Sequence, residues 1–374
     1  MSFQLEPRHT HGARERTAVL LINLGTPEAP TASALRRYLA EFLWDRRVVE
    51  IPRPLWWLIL HGVILRTRPA RSAAKYASIW RQEGSPLLYW TQRVAQRLTG
   101  QLGESSGGLG GQRGGNSPLV RHAMRYGQPS IASVLDQLKS EAVTRILVLP
   151  LYPQYSATTV ASAVDAVNAW AQNIRSLPEL RFVMRYHDHA GYIGALAASV
   201  RQHWQKEGRA GKLVMSFHGI PARNLVLGDP YHCECHVTAR LLAEQLGLGR
   251  DDWVLSFQSR FGRAKWLQPY TEPTVRRLAA EGVRRVDVIC PGFAVDCLET
   301  LEEIDQELRA SFLAAGGETF HRIPCLNDDD AWIAGLAGLV ERHLAGWPRD
   351  SDSPDQITQR AGSRERAVAL GASN

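Results

Sequence analysis

His218 follows the apolar run Leu213–Phe217 and precedes Gly219 and Pro221, residues that stop a strand. An imidazole at a strand end faces whatever cleft the sheet borders. Because imidazole titrates near neutrality, it suits a proton acceptor or a metal ligand there. By itself the position reads equally well as a loop histidine bonded to a neighbouring carbonyl. Glu299, Glu303 and Glu307 recur at i, i+4 and i+8, with Glu302 and Asp305 beside them. On an α-helix this spacing lines three carboxylates along one face, and their repulsion calls for a cation or a file of water. Hard oxygen ligands in a row suit the passage of a divalent metal. The competing reading is a solvated face with anions near a helix N-terminus. Asp296 and the apolar Phe293-Ala-Val lead-in favour the functional one.

Two further clusters carry donors. Cys233-Glu-Cys235, flanked by His232 and His236, offers soft ligands, but it lacks the two-residue gap of a zinc knuckle. Cys290, Cys297 and Cys325 are far apart along the chain, so ordinary reduced thiols are the expectation, with a structural cluster as the alternative. Trp56-Trp57, inside Pro52–Leu65 and followed by Arg66, Arg68 and Arg71, reads either as buried core or as an amphipathic lip. In the lip, tryptophans meet a lipid interface and arginines face headgroups or substrate carboxylates. The trailing arginines favour the lip.

The elements that must position these residues alternate regularly. Short apolar runs at Ala18–Ile22, Leu119–Met124, Arg145–Leu149, Leu180–Met184, Leu213–Phe217, Trp253–Phe257, Val286–Cys290 and Thr319–Ile323 read as strands. Amphipathic stretches such as Ser33–Leu43, Leu87–Leu102, Ile131–Leu138, Tyr192–Lys206, His236–Leu246 and Leu298–Ala314 read as helices. The pattern predicts an α/β fold of βαβ units with two open parallel four-stranded sheets covered on both faces. Ligands of such sheets bind beyond the carboxyl ends of the strands. Those ends are rich in special residues: Asn23-Leu-Gly-Thr-Pro27, Arg125-Tyr126, Tyr152-Pro-Gln-Tyr-Ser156, Ser216-Phe-His-Gly-Ile-Pro221, Gln258-Ser-Arg-Phe-Gly262 and Phe293 to Glu299.

The 374 residues suggest two domains of ordinary size, each able to bury its own core. The reading divides them into a flexible extension over 1–16, a first Rossmann-like half over 17–165, a second half over 166–346 and a disordered tail over 347–374. A Gly/Ser-rich surface insertion occupies 100–117. Five cysteines exclude a disulfide scaffold and point to a reducing compartment. The first thirty residues carry no signal pattern, so a cytoplasmic protein is expected, or one peripheral at the inner face of a membrane. The longest apolar run, Leu55–Leu65, is too short to cross a bilayer. A net charge of +7 without basic blocks favours an acidic small molecule or an anionic membrane surface over nucleic acid.

Taken in order over roughly residues 17–345, these motifs, with Gly84-Ser-Pro86, Gly228-Asp-Pro-Tyr231 and Trp266-Leu267, resemble the ferrochelatase family. The resemblance implies a lyase that inserts Fe2+ into protoporphyrin IX to form protoheme, the last step of haem biosynthesis. It also implies two Rossmann-like halves around a porphyrin cleft. His218 and Glu299 match the opposed catalytic and metal-binding pair, with Glu303 and Glu307 as a relay. Ser85, Arg125, Tyr126, Tyr152, Trp266, Phe293, Asp296 and Leu24 match positions lining the cleft. Arg125 and the Arg66–Arg71 arginines are expected to hold the propionates. Iron enters as substrate, and no cofactor is implied firmly. The usual [2Fe-2S] ligand set is missing, since Ala157 stands where cluster-bearing relatives have cysteine and no cysteine follows Cys325. The Cys233/Cys235 pair keeps an unusual site open. Cys297 replaces a histidine of several relatives, and Leu24 replaces the tyrosine of relatives associated with coproporphyrin, which favours protoporphyrin. The alternatives are a chelatase for cobalt, nickel or another tetrapyrrole, and a non-catalytic porphyrin or haem carrier.

Overall fold

The computed structural model describes residues 3, 6–106, 117–262, 264–347 and 354–373. Its first sheet holds β1 (Arg16–Gly25), β2 (Leu119–Tyr126), β3 (Val143–Pro150) and β4 (Glu179–Phe182) in the order β2-β1-β3-β4, all parallel. The second holds β5 (Lys212–His218), β6 (Trp253–Gln258), β7 (Arg285–Ile289) and β8 (Thr319–Arg322) in the order β6-β5-β7-β8, again parallel. All eight strands lie where the apolar runs predict them. The helices are α1 (Ala32–Trp44), α2 (Arg53–Ile59), α3 (Leu65–Ile79), α4 (Pro86–Ser106), α5 (Ile131–Ser140), α6 (Ser162–Ala171), α7 (Ala190–Glu207), α8 (Ala222–Val226), α9 (Tyr231–Leu246), α10 (Thr271–Ala280), α11 (Arg309–Ala314), α12 (Asp330–His343) and α13 (Pro354–Ala369). Side-chain caps open several of them: Thr31 accepts from the Ala34 N–H before α1, and Asp329 accepts from two N–H groups of α12.

Strand periodicity decides where the cores sit. Successive residues of a strand point to opposite faces, so Val19 and Leu21 enter one apolar layer while Ala18, Leu20 and Ile22 enter another. In β5, Leu213, Met215 and Phe217 join the layer of Val19 and Leu21, and Val214 faces the outer layer beneath α10 and α11. The inner faces of both sheets therefore share one continuous core with α4, α7, α9 and α12. This corrects the expectation of a separate core in each half. The seam also moves: β4 pairs with β3 and α6 packs on the first sheet, so the first half extends to Phe182, beyond 165. A four-residue strand gives no local signal of which sheet it joins. Helices α7 and α12 cross closely at Gly191 and Gly335, where a Cβ on Gly191 would stand 2.8 Å from the Gly335 Cα.

The termini differ from expectation. Residues 354–369 form α13, and the amino-terminal segment packs on it at Gly12. Glu6 pairs with Lys139 at 2.9 Å, anchoring the extension to the first half. The start of the glycine-rich stretch continues α4 to Ser106, and 107–116 lie outside the described residues.

Gly25 closes β1 at a φ of +115°, and a Cβ there would fall 1.8 Å from the Tyr126 carbonyl oxygen of the neighbouring strand. Gly25→Ala must separate β1 from β2 beside the Asn23–Pro27 motif. We expect it to destabilise the protein by at least about 3 kcal/mol, read from chemical denaturation, whereas Gly338→Ala, at a helical position of α12 with open space around it, costs much less.

Candidate active site

Side chains from the carboxyl ends of both sheets come together around Glu299, whose charge reaches Tyr152 after β3 and Glu303 on the helix after β7. From the second sheet comes His218, the last residue of β5, paired in register with Gln258 of β6. Its Nδ1 lies 2.6 Å from the Gly219 carbonyl oxygen. A carbonyl only accepts, so the neutral ring carries its proton on Nδ1 and presents the Nε2 lone pair. Phe293 packs against the ring with centroids 6.3 Å apart.

Glu299 opens the helix after β7, but this helix is a π-helix over Glu299–Leu308 before it becomes α11. Its i→i+5 hydrogen bonding sorts the carboxylates differently from an α-helix. Glu302 and Glu307, five residues apart, both take the Lys75 ammonium of α3, at 2.8 Å each. Glu307 thus leaves the expected relay. Glu299 and Glu303 remain together: Glu303 is pushed above the usual carboxylate range, first by burial and then by the Glu299 charge, while its Ser259 hydrogen bonds and His218 pull the other way. The Ser259 N–H donates to Glu303 at 2.6 Å, and the Ser259 hydroxyl donates to its other oxygen. Ser259 reaches this position with a φ of +65°, the left-handed region that a serine rarely adopts. Gln258 donates to the Glu299 carbonyl at 2.9 Å.

Around Glu299 stands a wall of neutral phenols and a thiol. Burial and the Glu299 charge push Tyr38, Tyr76 and Tyr152 upward, and the Cys297 thiol is raised by the same two causes. The Tyr152 hydroxyl and the Trp266 indole N–H are buried without a hydrogen-bond partner. Buried polar groups are nearly always satisfied, so both are available to a ligand. Leu24 packs with Tyr126 in the apolar cluster of the first half, and Ser85 accepts from Thr26 at 2.8 Å.

Several expected contacts are corrected. Arg125 does not present a free cation: it donates to Asp45 at 2.6 Å and to the Ser162 carbonyl and hydroxyl, and its guanidinium lies over Tyr126. Tyr126 donates to the same Asp45 at 2.8 Å. Burial alone would raise Asp45, yet bonds from Ser162, the Arg47 N–H and Tyr126, with the Arg125 charge, hold it below the usual carboxylate range. Asp296 is likewise occupied, accepting from Arg322 at 2.8 Å, Asn327 at 2.9 Å and Thr300 at 3.0 Å. It braces the turn that launches Glu299. The tryptophan pair divides, because adjacent residues occupy different helix faces. Trp56 is 6% exposed and donates to the Leu43 carbonyl at 2.7 Å, whereas Trp57 is 51% exposed beside Leu55, Leu58 and Val63. Arg66 and Arg71 are exposed, and Arg68 lies over Phe261. Of the cysteines, Cys233 is exposed and the other four are buried; among the described residues, the thiols do not gather into a metal-ligand set.

Sequence reasoning assigned no role to Tyr38, Lys75 or Ser259. Ser259 lies inside a quoted motif, but Tyr38 and Lys75 occupy ordinary positions of amphipathic helices and leave no local signal.

A family model described as Ferrochelatase matches residues 16–344. A curated protein named Ferrochelatase from a Polaromonas species is 62% identical over 376 residues, covering 100% of this chain and 100% of the relative. One of the same name from Methylibium petroleiphilum is 62% identical over 367 residues, with 98% of each chain covered. Among solved structures, SirB from Bacillus subtilis with Fe3+ shares the fold at a TM-score of 0.52 and 11% identity, covering 90% of this chain and 100% of that one.

Two outcomes follow from the buried carboxylates. Glu303 binds its proton more tightly folded than unfolded, so between the ordinary carboxylate pKa and its raised value the folded state holds more protons. Its contribution to stability therefore falls as pH rises through that window. Glu303→Gln should lose this dependence, gaining stability relative to the parent as pH rises above the ordinary carboxylate range in urea melts. Asp45 has the opposite sign. Its stabilisation is present above the unfolded value and is lost as pH falls through the lowered one. Asp45→Asn should cost about 3 kcal/mol at pH 7 by leaving Arg125 unpaired, with a smaller difference at pH 3.

Proposed function

The chain belongs to the ferrochelatase family, and from that membership we propose that His218 and Glu299 act from opposite sides of a bound porphyrin. The protein is a lyase that inserts ferrous iron into a porphyrin in haem synthesis. The reaction breaks two pyrrole N–H bonds, releases two protons and forms the iron–nitrogen bonds, without change of oxidation state. Free porphyrin carries its two protons in the plane that the metal must enter. A site complementary to a bent macrocycle lowers the barrier by binding the distorted ring more tightly than the flat one.

His218 Nε2 accepts the pyrrole protons, and Glu299 with Glu303 forms the carboxylate side, where the metal or a proton is held. The observation that carries this reading is the commitment of His218 Nδ1 to the Gly219 carbonyl. It leaves an Nε2 lone pair close to the protonatable Glu303 carboxyl. Trp266, Phe293, Tyr152 and Leu24 supply an apolar wall with two unused donors, which favours protoporphyrin IX over a more carboxylated ring. Arg125 and Tyr126 shape that wall through Asp45. The exposed apolar residues Leu55, Trp57, Leu58 and Val63, with Arg66 and Arg71 nearby, fit a lip resting on an anionic lipid surface. No described helix is long and apolar enough to cross a membrane.

His218→Ala should lower kcat for iron insertion at least about 100-fold while porphyrin affinity, followed by fluorescence, changes little; near-normal turnover would remove the imidazole from the reaction. An N-alkylated, permanently bent porphyrin should bind more tightly than the flat substrate, and equal affinities would sink the distortion argument. Trp57→Ala with Leu58→Ala should reduce sedimentation with anionic vesicles and leave turnover of detergent-dispersed porphyrin unchanged.

A further inference from the structure

A second cluster of metal-binding side chains lies away from the cleft. His203 projects from α7, Asp287 lies on β7, and His321 of β8 is the register partner of Asp287. Asp287 is fully buried, where a bare carboxylate is costly unless a cation meets it. His203 Nε2 stands 3.4 Å from Asp287 Oδ1, and His321 Nδ1 stands 3.5 Å from the same oxygen. Both ring nitrogens are shut off from solvent and lack a hydrogen-bond partner. These separations are too long for charge-assisted hydrogen bonds, which run at about 2.7–2.9 Å. They match the edge of a tetrahedron: two ligands each about 2.0–2.1 Å from a zinc ion stand roughly 3.4 Å apart. The Trp204 indole donates to Asp287 Oδ2 at 2.8 Å, which orients the carboxylate and leaves Oδ1 for ligation. Arg285 approaches Oδ1 only to 3.5 Å, because its terminal nitrogens serve the Glu207 and Gly208 carbonyls. The Glu207 side chain is close enough to feel both imidazoles and adds negative charge at the rim.

We propose that His203 Nε2, Asp287 Oδ1 and His321 Nδ1 bind a divalent transition-metal ion of the zinc class, with water as the fourth ligand. Asp287 pairs with Leu213, five residues before His218 on β5, which puts the site about 16 Å along the sheet from the catalytic imidazole. The ion is therefore not iron in transit at the cleft. It clamps α7 to β7 and β8. Near the start of α7, Tyr192 donates to the Pro291 carbonyl in the turn that leads to Glu299, so the clamp steadies that turn from behind.

The test titrates full-length, metal-stripped protein with Co2+, whose visible absorption reports low coordination, and then displaces it with Zn2+. The parent chain and His218→Ala should each show one such ion per chain. His203→Gln and His321→Gln should weaken binding at least about 100-fold, and Trp204→Phe about 10-fold. Saturating Zn2+ should raise the Tm of the parent and leave that of His203→Gln unchanged, with far-ultraviolet dichroism identifying folded variants. Equal Co2+ spectra in the parent, His203→Gln and His321→Gln would overturn the assignment, as would loss of the signal in His218→Ala.

Discussion

The hydrogen-bond register of the helix that begins at Glu299 governs the cleft. An α-helical register would have strung Glu299, Glu303 and Glu307 along one face. The π-helical register instead brings Glu302 and Glu307 together, where a single ammonium from the opposite half pairs with both. Glu299 and Glu303 then form a pair of their own on the side of His218. Lys75 thus does two things at once: it pairs with two carboxylates and ties α3 of the first half to the Glu299–Leu308 helix of the second.

Charge inside this protein is tolerated only where geometry supplies partners. Asp296 is buried and Asp45 and Glu303 are half-buried, and each is met by donors from a different segment: Arg125, Tyr126 and Ser162 for Asp45, Arg322, Asn327 and Thr300 for Asp296, Ser259 for Glu303. The phenols and the thiol around Glu299 stay protonated because burial opposes their ionisation. The result is that Glu299 is surrounded by groups that hold their protons. In such surroundings a single imidazole lone pair and a protonatable carboxylate have more influence than they would in water.

The proposed bending of the ring requires walls that do not yield. The two halves are joined by buried polar contacts as well as by their common core. Asp229 accepts from the Ser156 hydroxyl and the Ala157 and Tyr231 N–H groups, Glu234 accepts from the Tyr155 N–H, and Gln154 donates to Thr238. The Tyr152–Ser156 and Gly228–Tyr231 motifs are therefore largely the joint between the halves. A motif near a cleft can be constrained by architecture as strictly as by substrate.

Much of this was legible in residue order. Apolar runs located all eight strands and amphipathic stretches located α1, α4, α5, α7 and α9, because period-2 and period-3.6 patterns are local properties. The strand-end rule singles out the segments after β5 and β7 that carry His218 and Glu299. What needed the tertiary structure was everything set by partners distant in sequence. Local spacing could not reveal that Lys75 would claim Glu307, that Asp45 would occupy Arg125, that β4 would join the first sheet, or that Trp56 would turn inward while Trp57 stayed outside. Periodicity fixes which face a side chain takes on its own element; what that face meets is decided by packing between elements, whose energy no single segment contains.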